Sequence, residues 1–228
     1  MHLCRVGPIA YSHARDAMAR YTGERGGVSP DEVWLVEHPP VFTLGLNASH
    51  DHVRVAREDI PVVQTDRGGQ VTYHGPGQLV LYPLLALRRY GLGARSLVSV
   101  LEQSVVSSLA PFGIEAAADP SAPGVYVQGR KIASIGLRIR RGCSYHGIAL
   151  NVNADLSPFG RINPCGYQGL EVTRMIDEGA PRDLTVARMG DLVSAELLRR
   201  LAYNTGQSLR YVERAPTCAP RAHEEHPA

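Results

Sequence analysis

A glycine-rich stretch that runs directly into an apolar segment constrains the fold of this chain more than any other feature. Residues 67–78 read RGGQVTYHGPGQ, with four glycines in twelve positions, and the apolar residues 79–85 follow. Glycine permits positive φ and close approach of the backbone to another group. A glycine cluster beside a buried strand is therefore typical of a binding site lined by main-chain amides, but a tight connection between strands has the same composition. Because Arg, Gln, Tyr and His lie among the glycines, both interpretations stay open.

Length and charge favour one domain without a strongly charged surface. The 228 residues are enough for a sizeable core. The balance of 24 Lys+Arg against 22 Asp+Glu leaves +2, so no strong field favours nucleic acid or a membrane surface, and a protein partner would have to dock on a local patch. No apolar run approaches the ~20 residues of a membrane span. Since Arg5, Arg15 and Asp16 lie near the start, we expect no signal peptide and no anchor.

Neither cysteine spacing nor histidine clustering predicts a metal site. The four cysteines are Cys4, Cys143, Cys165 and Cys218. They form no CxxC pair, which favours free thiols in a reducing cytoplasm. His50, Asp51 and His52 stand together in a polar stretch, but no further ligand cluster supports them, so a solvated loop is favoured.

Hydrophobic periodicity predicts three helices and seven strands. The helices are expected at 10–25, at 96–112 with Ser96 as N-cap, and at about 185–203. The strands are expected at 32–37, 41–44, 60–64, 78–85, 124–127, 130–140 and 145–153.

The order of these elements predicts an α+β fold. A short β pairing is expected across Pro39–Pro40, and a hairpin with its turn at Gln128–Gly129 should open a three-stranded antiparallel meander. We therefore expect a single mixed-sheet domain with flanking helices over residues 1–214, followed by a disordered tail at 215–228.

Strand alternation places Lys131 on an apolar face. With a period of two, Lys131 shares its face with Ala133, Ile135, Leu137 and Ile139. Burial disfavours an ammonium, so Lys131 is a candidate base or nucleophile. The alternative is that Lys131, near the start of the strand, snorkels to water.

Small residues on two neighbouring strands predict a slot for a slender apolar ligand. Ser134 and Gly136 share one face of their strand. Gly147 and Ala149 share a face of the next strand with Tyr145, while His146 lies on the other face with Ile148 and Leu150. Close packing of a helix against this face would give the same pattern.

Cys165 is the cysteine most suited to chemistry. It stands in the loop sequence NPCG at 163–166, where a thiol can be exposed and the amide of Gly166 can face an oxyanion. With Lys131 as partner, its thiolate would suit acyl transfer. An inert thiol stays possible, and so does a Cys–His arrangement with His74 or His146.

At this point the chain resembles the octanoyltransferase family, the lipoate-protein ligase B type. The matching segments are EHPPVFTLG at 37–45, RGGQVTYHGPGQ at 67–78, KIASIG at 131–136, HGIALNV at 146–152, PCG at 164–166 and VT at 172–173. The resemblance implies the fold of the biotin and lipoate ligases. It implies transfer of an octanoyl group from octanoyl-acyl carrier protein to lipoyl domains of 2-oxoacid dehydrogenase complexes and to glycine cleavage H protein, without metal or cofactor. The protein is expected to be a cytoplasmic monomer.

The same resemblance implies roles for individual residues. Cys165 would hold the acyl thioester, and Lys131 would favour its thiolate and act as acid and base. The implied substrate contacts are Arg67, Gly68, Gly69, Gln70, Val71, Thr72, Tyr73, His74, Ser134, Ile135, Gly136, Gly147, Ile148 and Ala149. Two alternatives stay open. An ATP-dependent lipoate or biotin ligase would need an adenylate rather than an acyl-cysteine, and a non-catalytic module would bind lipid or a lipoyl domain without transfer.

Overall fold

Helices and strands follow the predicted order closely. The computed structural model describes residues 1–48, 59–162, 170–206 and 209–217. Its elements are β1 His2–Pro8, α1 Tyr11–Glu24, β2 Glu32–Glu37, β3 Val41–Leu44, β4 Val62–Gln64, β5 Val71–His74, β6 Gln78–Leu84, α2 Ala94–Leu109, β7 Ala117–Ala118, β8 Gly124–Val127, β9 Arg130–Arg140, β10 Cys143–Asn151, α3 Val186–Thr205 and β11 Val212–Glu213. All three predicted helices and all seven predicted strands are present. The glycine-rich stretch itself contains a strand, β5, that the sequence does not predict.

A mixed eight-stranded sheet forms the body of the structure. Its order is β11-β1-β2-β6-β10-β9-β8-β7. The predicted meander is confirmed, since β8, β9 and β10 pair antiparallel in succession. At the turn between β8 and β9, Gln128 and Gly129 have φ of 49° and 81°, the positive values that a two-residue type I′ hairpin requires.

The predicted pairing across Pro39–Pro40 is wrong. Strand β2 pairs with β1 and β6 in the large sheet, whereas β3 pairs with β4 and β5 in a separate three-stranded sheet. Proline has no N–H for a ladder and fixes its own φ. The two prolines therefore mark the point where the chain leaves one sheet for the other.

The large sheet is covered on both faces. Helices α2 and α3 pack on one face around Leu81, Leu101 and Leu197, and α1 packs on the other around Met18 and Trp34. Every residue of β6 is buried, as its continuous apolar sequence indicates. A third hydrophobic cluster, which includes Phe42, Tyr73 and Phe159, packs against the small sheet.

Helix starts agree with the sequence at α3 but not at α2. The Thr185 hydroxyl accepts from the Arg188 N–H at 3.2 Å, so Thr185 caps α3. Helix α2 begins at Ala94 with Gly93 as N-cap. The predicted cap at Ser96 is therefore wrong, and Ser96 lies in the first turn. Within the described ranges, no helix is both long and apolar enough to cross a bilayer.

Only the first residues of the predicted tail, 215–217, are described. The Thr217 N–H donates to the buried carboxylate of Glu32 at 3.1 Å. Residues 218–228 lie outside the described ranges, and the division at residue 214 stays a prediction.

Substitution of Gly147 by alanine tests the close approach of β6 to β10. A Cβ at Gly147 would lie 1.9 Å from the Leu81 carbonyl oxygen, so two paired strands would have to separate. We expect Gly147→Ala to lower the free energy of unfolding by about 3 kcal/mol in urea denaturation. At Gly160 no atom lies within 4 Å of a built Cβ, so Gly160→Ala should change it by less than about 0.5 kcal/mol. Equal effects would contradict this account.

Candidate active site

The glycine-rich stretch docks on β9 through its main chain. The Gly68 N–H donates to the Leu137 carbonyl at 2.9 Å. A Cβ at Gly136 would lie 2.8 Å from the Gly68 carbonyl oxygen, and one at Gly45 would lie 2.2 Å from the Gly69 carbonyl oxygen. These glycines are therefore required by close approach between backbones, and the stretch is more than a tight connection.

A cavity lies beneath this stretch. Twelve of the fourteen implied substrate contacts line it: Arg67, Gly69, Gln70, Val71, Thr72, His74, Ser134, Ile135, Gly136, Gly147, Ile148 and Ala149. Gly68 and Tyr73 do not. The Tyr73 ring instead packs against Phe42 and Phe159 in the core of the small sheet, on the face of β5 opposite Thr72 and His74.

The floor of the cavity matches the predicted slot only in part. Ser134 pairs with Ala149, and Gly136 pairs with Gly147, across β9 and β10. The two glycines do not leave empty space, since main-chain atoms of neighbouring segments occupy the positions of their missing Cβ atoms. The room for a ligand is therefore over the Ser134–Ala149 pair.

The cavity is also lined by four residues that the sequence analysis does not name as substrate contacts: Tyr11, Val80, Tyr82 and His146. Val80 and Tyr82 alternate on β6, so their shared face was readable from the sequence. Tyr11 begins α1 and has no such signal.

The position of His146 departs from strand alternation. Its φ is +55°, a left-handed value that is rare for any residue other than glycine. His146 Nε2 lies 2.8 Å from Asp66 Oδ1, and the neighbouring Tyr145 hydroxyl donates to the other oxygen of the same carboxylate. The predicted separation of Tyr145 and His146 onto opposite faces is therefore wrong.

Asp66 fixes the tautomer of His146, and burial keeps its ring neutral. Hydrogen bonds from His146 and Tyr145 hold the pKa of Asp66 well below its usual value. Burial lowers the pKa of His146, so its ring is neutral at pH 7. We assign the proton to Nε2, since the Asp66 carboxylate only accepts. Nδ1 is then an acceptor. This atom and Gln70 Oε1 are buried without a hydrogen-bond partner among the described residues.

Arg67 ties the glycine-rich stretch to the small sheet. Its Nη2 donates to the Thr43 carbonyl at 2.7 Å and its Nε to the Thr43 hydroxyl at 3.2 Å, while Nη1 donates to the Gly68 carbonyl at 3.0 Å. The acceptors are two main-chain carbonyls and one short side chain, all of which have little freedom to move. Arg67 thus positions the cavity wall in addition to lining it.

A buried polar chain runs from His74 towards the segment that follows Cys165. His74 Nδ1 lies 2.7 Å from Gln78 Oε1. The Gln78 amide donates to Asn151 Oδ1 at 2.8 Å, and the Asn151 amide donates to the Thr173 carbonyl at 3.0 Å. Burial lowers the pKa of His74 to about 3, so His74 is an uncharged member of this chain at neutral pH.

A β-bulge sets the direction of Lys131. Lys131 pairs with Tyr126 and Ala133 with Val125, so Ile132 has no partner on β8. A Cβ at Gly124, which pairs with Ser134, would lie 2.6 Å from Lys131 Cε. Lys131 is therefore on the same face as Ser134, and its predicted place on the Ala133 face is wrong.

Lys131 is enclosed rather than snorkelling. Only 2% of it is exposed. Its ammonium donates to the Pro123 carbonyl at 3.1 Å and lies 5.2 Å from the centroid of the Tyr126 ring. Its main chain pairs with the segment after Cys165, because its N–H donates to the Glu171 carbonyl and its carbonyl accepts from the Thr173 N–H, each at 2.9 Å.

Cys165 lies outside the described residues, as do Gly166 and the group His50, Asp51 and His52. The Lys131–Cys165 pair thus stays a prediction. Cys4 and Cys143 are free thiols. Burial raises the pKa of Cys4 to about 12, which supports the prediction that this thiol is inert.

Solved structures share the fold of this chain. A crystal structure of lipoate-protein ligase A bound with ATP aligns with a TM-score of 0.68 at 17% identity, covering 94% of this chain and 89% of that one. Biotin protein ligase from Aquifex aeolicus aligns with a TM-score of 0.54 at 15% identity, covering 91% and 72%. The predicted α+β fold of the biotin and lipoate ligases is confirmed.

Sequence relatives identify the family. The protein-family model for the lipoyl protein ligase A/B catalytic domain matches residues 11–198. The octanoyltransferase of Alkalilimnicola ehrlichii is 65% identical over 77% of this chain and 81% of its own length. That of Cellvibrio japonicus is 53% identical over 90% and 94%. The chain therefore belongs to the octanoyltransferase family, whose members are acyltransferases.

Two of the buried histidines near the cavity, His38 and His74, predict a pH dependence of stability. Burial lowers the pKa of His38 to about 4 and that of His74 to about 3, whereas an unfolded histidine titrates near 6.5. Below about pH 6.5 the unfolded state binds more protons, so the free energy of unfolding falls as pH falls towards 4. We expect His74→Gln to reduce this slope by about 1.4 kcal/mol per pH unit between pH 6 and 4, measured by urea denaturation.

His38→Gln is the matched comparison, because both rings are buried. It should reduce the slope in the same direction over a narrower range, which ends near pH 4. Slopes that match the unsubstituted protein in both variants would show that these rings are not neutral in the folded state.

Proposed function

We propose that this protein transfers an octanoyl group from octanoyl-acyl carrier protein, through a thioester on Cys165, to a lysine of a lipoyl domain. The acceptors are the lipoyl domains of 2-oxoacid dehydrogenase complexes and glycine cleavage H protein. The observation that supports this proposal most is the shared face of β9, where buried Lys131 precedes the Ser134 floor of a cavity. The cytoplasmic location and the monomeric state stay predictions.

The cavity suits a slender apolar chain. Val80, Ile148 and Ala149 supply apolar surface on its β6 and β10 side, and burial of apolar surface contributes about 25 cal/mol per Å². Nothing larger than a hydroxymethyl or methyl group projects from the Ser134–Ala149 pair, so a methylene chain can lie against main chain there. An octanoyl group offers this kind of surface along its whole length.

The chemistry needs no nucleotide and no metal. In the first step the Cys165 thiolate attacks the carbonyl of the donor thioester, and the carrier thiol leaves with a proton. In the second step the acceptor amine attacks the acyl-cysteine, loses a proton, and the Cys165 thiolate leaves. Exchange between thioesters is nearly thermoneutral, and formation of the amide drives the second step.

Lys131 is the proposed acid and base in both steps. It is the only lysine in the chain, and it lies in an enclosed site where an ammonium would favour a neighbouring thiolate. Its proton would pass to the leaving carrier thiol and be recovered from the attacking amine.

An octanoyl adduct on Cys165 is the first expected outcome. Incubation with octanoyl-acyl carrier protein, without ATP, should give a singly acylated protein by intact mass, and the adduct should be removed by neutral hydroxylamine, as a thioester is. Cys165→Ala should give no adduct and no transfer. Lys131→Met should slow both steps by roughly 10²-fold or more. Full activity of Cys165→Ala, or a requirement for ATP, would favour the ATP-dependent ligase instead.

Filling the slot should discriminate between acyl chains by length. Ala149→Leu places a branched side chain over the pair that Ala149 forms with Ser134. We expect kcat/KM for an octanoyl donor to fall roughly 10–100-fold, which corresponds to about 1.4–3 kcal/mol. A butyryl donor is the internal control, because its shorter chain should retain most of its rate. Equal losses for both donors would place the acyl chain elsewhere.

A further inference from the structure

Three segments at one end of the large sheet bring arginines together. The Leu87 N–H donates to the Gly142 carbonyl at 2.9 Å, and Ala86 forms a β-bridge with Cys143, so the turn after β6 packs on the β9–β10 hairpin. Arg89 joins the third segment by donating to the Gly27 carbonyl at 2.7 Å. We call the resulting surface the basic patch: Arg25, Arg88, Arg89, Arg95, Arg138, Arg140 and Arg141.

The basic patch is a concentration of positive charge in a nearly neutral chain. The whole chain carries +2, yet residues 67–101 and 120–154 contain no Asp or Glu. Asp31, buried beside the patch, is already neutralised by Arg25 and Arg89 at 2.5 Å and 3.0 Å. Glu24, which precedes Arg25, is exposed, and Asp66 is engaged by Tyr145 and His146.

The outer arginines of the patch are exposed to a partner. Arg88, Arg95, Arg138, Arg140 and Arg141 are all exposed. The ion pairs formed within the described ranges do not include them. A cluster of arginines in this state attracts anions and presents paired N–H donors to carboxylates and phosphates.

The basic patch continues the face that floors the cavity. On β9, Ser134 and Gly136 line the cavity, and with a period of two Arg138 and Arg140 follow them on the same face. At about 3.3 Å per residue, Arg140 lies roughly 13 Å beyond Gly136. A protein bound at the patch would therefore sit next to the cavity.

We propose that the basic patch is the docking surface for the protein that delivers the acyl group, an acidic carrier protein. This inference rests on the proposed function. A carrier protein holds its acyl group on an arm joined through a phosphodiester, so the donor presents an anion at the point from which its arm extends. Exposed charges of this kind mainly raise the association rate and make it sensitive to salt.

Charge reversal at two exposed positions tests the proposal. The patch variant is Arg88→Glu with Arg141→Glu, which leaves the Arg25–Asp31 and Arg89–Asp31 pairs intact. The control variant is Arg182→Glu with Arg188→Glu, which changes the net charge equally at exposed positions near the start of α3. Neither pair lines the cavity.

The measurement is the rate of octanoyl-adduct formation at low ionic strength with two donors. With octanoyl-acyl carrier protein we expect the patch variant to be at least roughly 10-fold slower than the unsubstituted protein, with a weaker dependence on salt. With octanoyl-pantetheine, which has neither phosphate nor carrier, its rate should be unchanged. The control variant should match the unsubstituted protein with both donors.

Each other result decides against the docking surface. Equal losses with both donors would mean damage to the site, and equal losses in patch and control variants would mean an effect of net charge alone. If the patch variant forms the octanoyl adduct at the normal rate but transfers it slowly to a lipoyl domain, the surface binds the acceptor and not the donor.

Failure of the proposed function would look different. In that case the unsubstituted protein would form no adduct with either donor. Fluorescence anisotropy with labelled carrier protein then tests the patch independently of catalysis. Binding that the patch variant weakens at least roughly 10-fold relative to the control variant would support the docking surface, and equal binding would overturn it.

Discussion

Main-chain docking of the glycine-rich stretch on β9 is the constraint on which the site depends. At Gly136 and Gly45 the atoms that a Cβ would meet are main-chain carbonyls, so no change of rotamer relieves a clash. The hydrogen bond from Gly68 to Leu137 fixes the position of the stretch along β9. The small sheet is thereby held over the large one at a distance that leaves the cavity between them. Arg67 stabilises this arrangement from the other side through Thr43.

Two departures from regular strand geometry bring titratable side chains to the cavity face. The bulge at Ile132 places Lys131 on the face of Ser134, and the left-handed φ of His146 brings its ring to Asp66. A left-handed φ at a residue other than glycine costs on the order of 1–3 kcal/mol and persists only where the surroundings compensate. Here the ionised Asp66 accepts from both His146 and Tyr145, and these bonds offset part of that cost.

These same departures limit what the sequence could predict. Helices α1 and α3 and the β8–β9 hairpin follow from local patterns, which the structure confirms. The substrate contacts follow from the family resemblance instead, and twelve of the fourteen line one cavity. The faces of Lys131 and His146 do not follow from local patterns, because one extra residue or one inverted φ reverses a period-two assignment. The partner of β3 is a different case. Strand pairing is non-local, so apolar strands on either side of Pro39–Pro40 carry no information about which sheet each one joins.

Burial leaves the histidines beside the cavity uncharged, and the hydrogen-bond donors of Arg67 are engaged by protein groups. His74 and His38 are neutral because burial lowers the pKa of each, and the guanidinium of Arg67 is engaged by Thr43 and Gly68. A free fatty acid would bring a carboxylate, whose desolvation needs a dedicated cation. A thioester brings no charge. Under the proposed function the donor is uncharged and needs no counter-ion, which leaves Lys131, enclosed by Pro123 and Tyr126, for the proposed proton transfers.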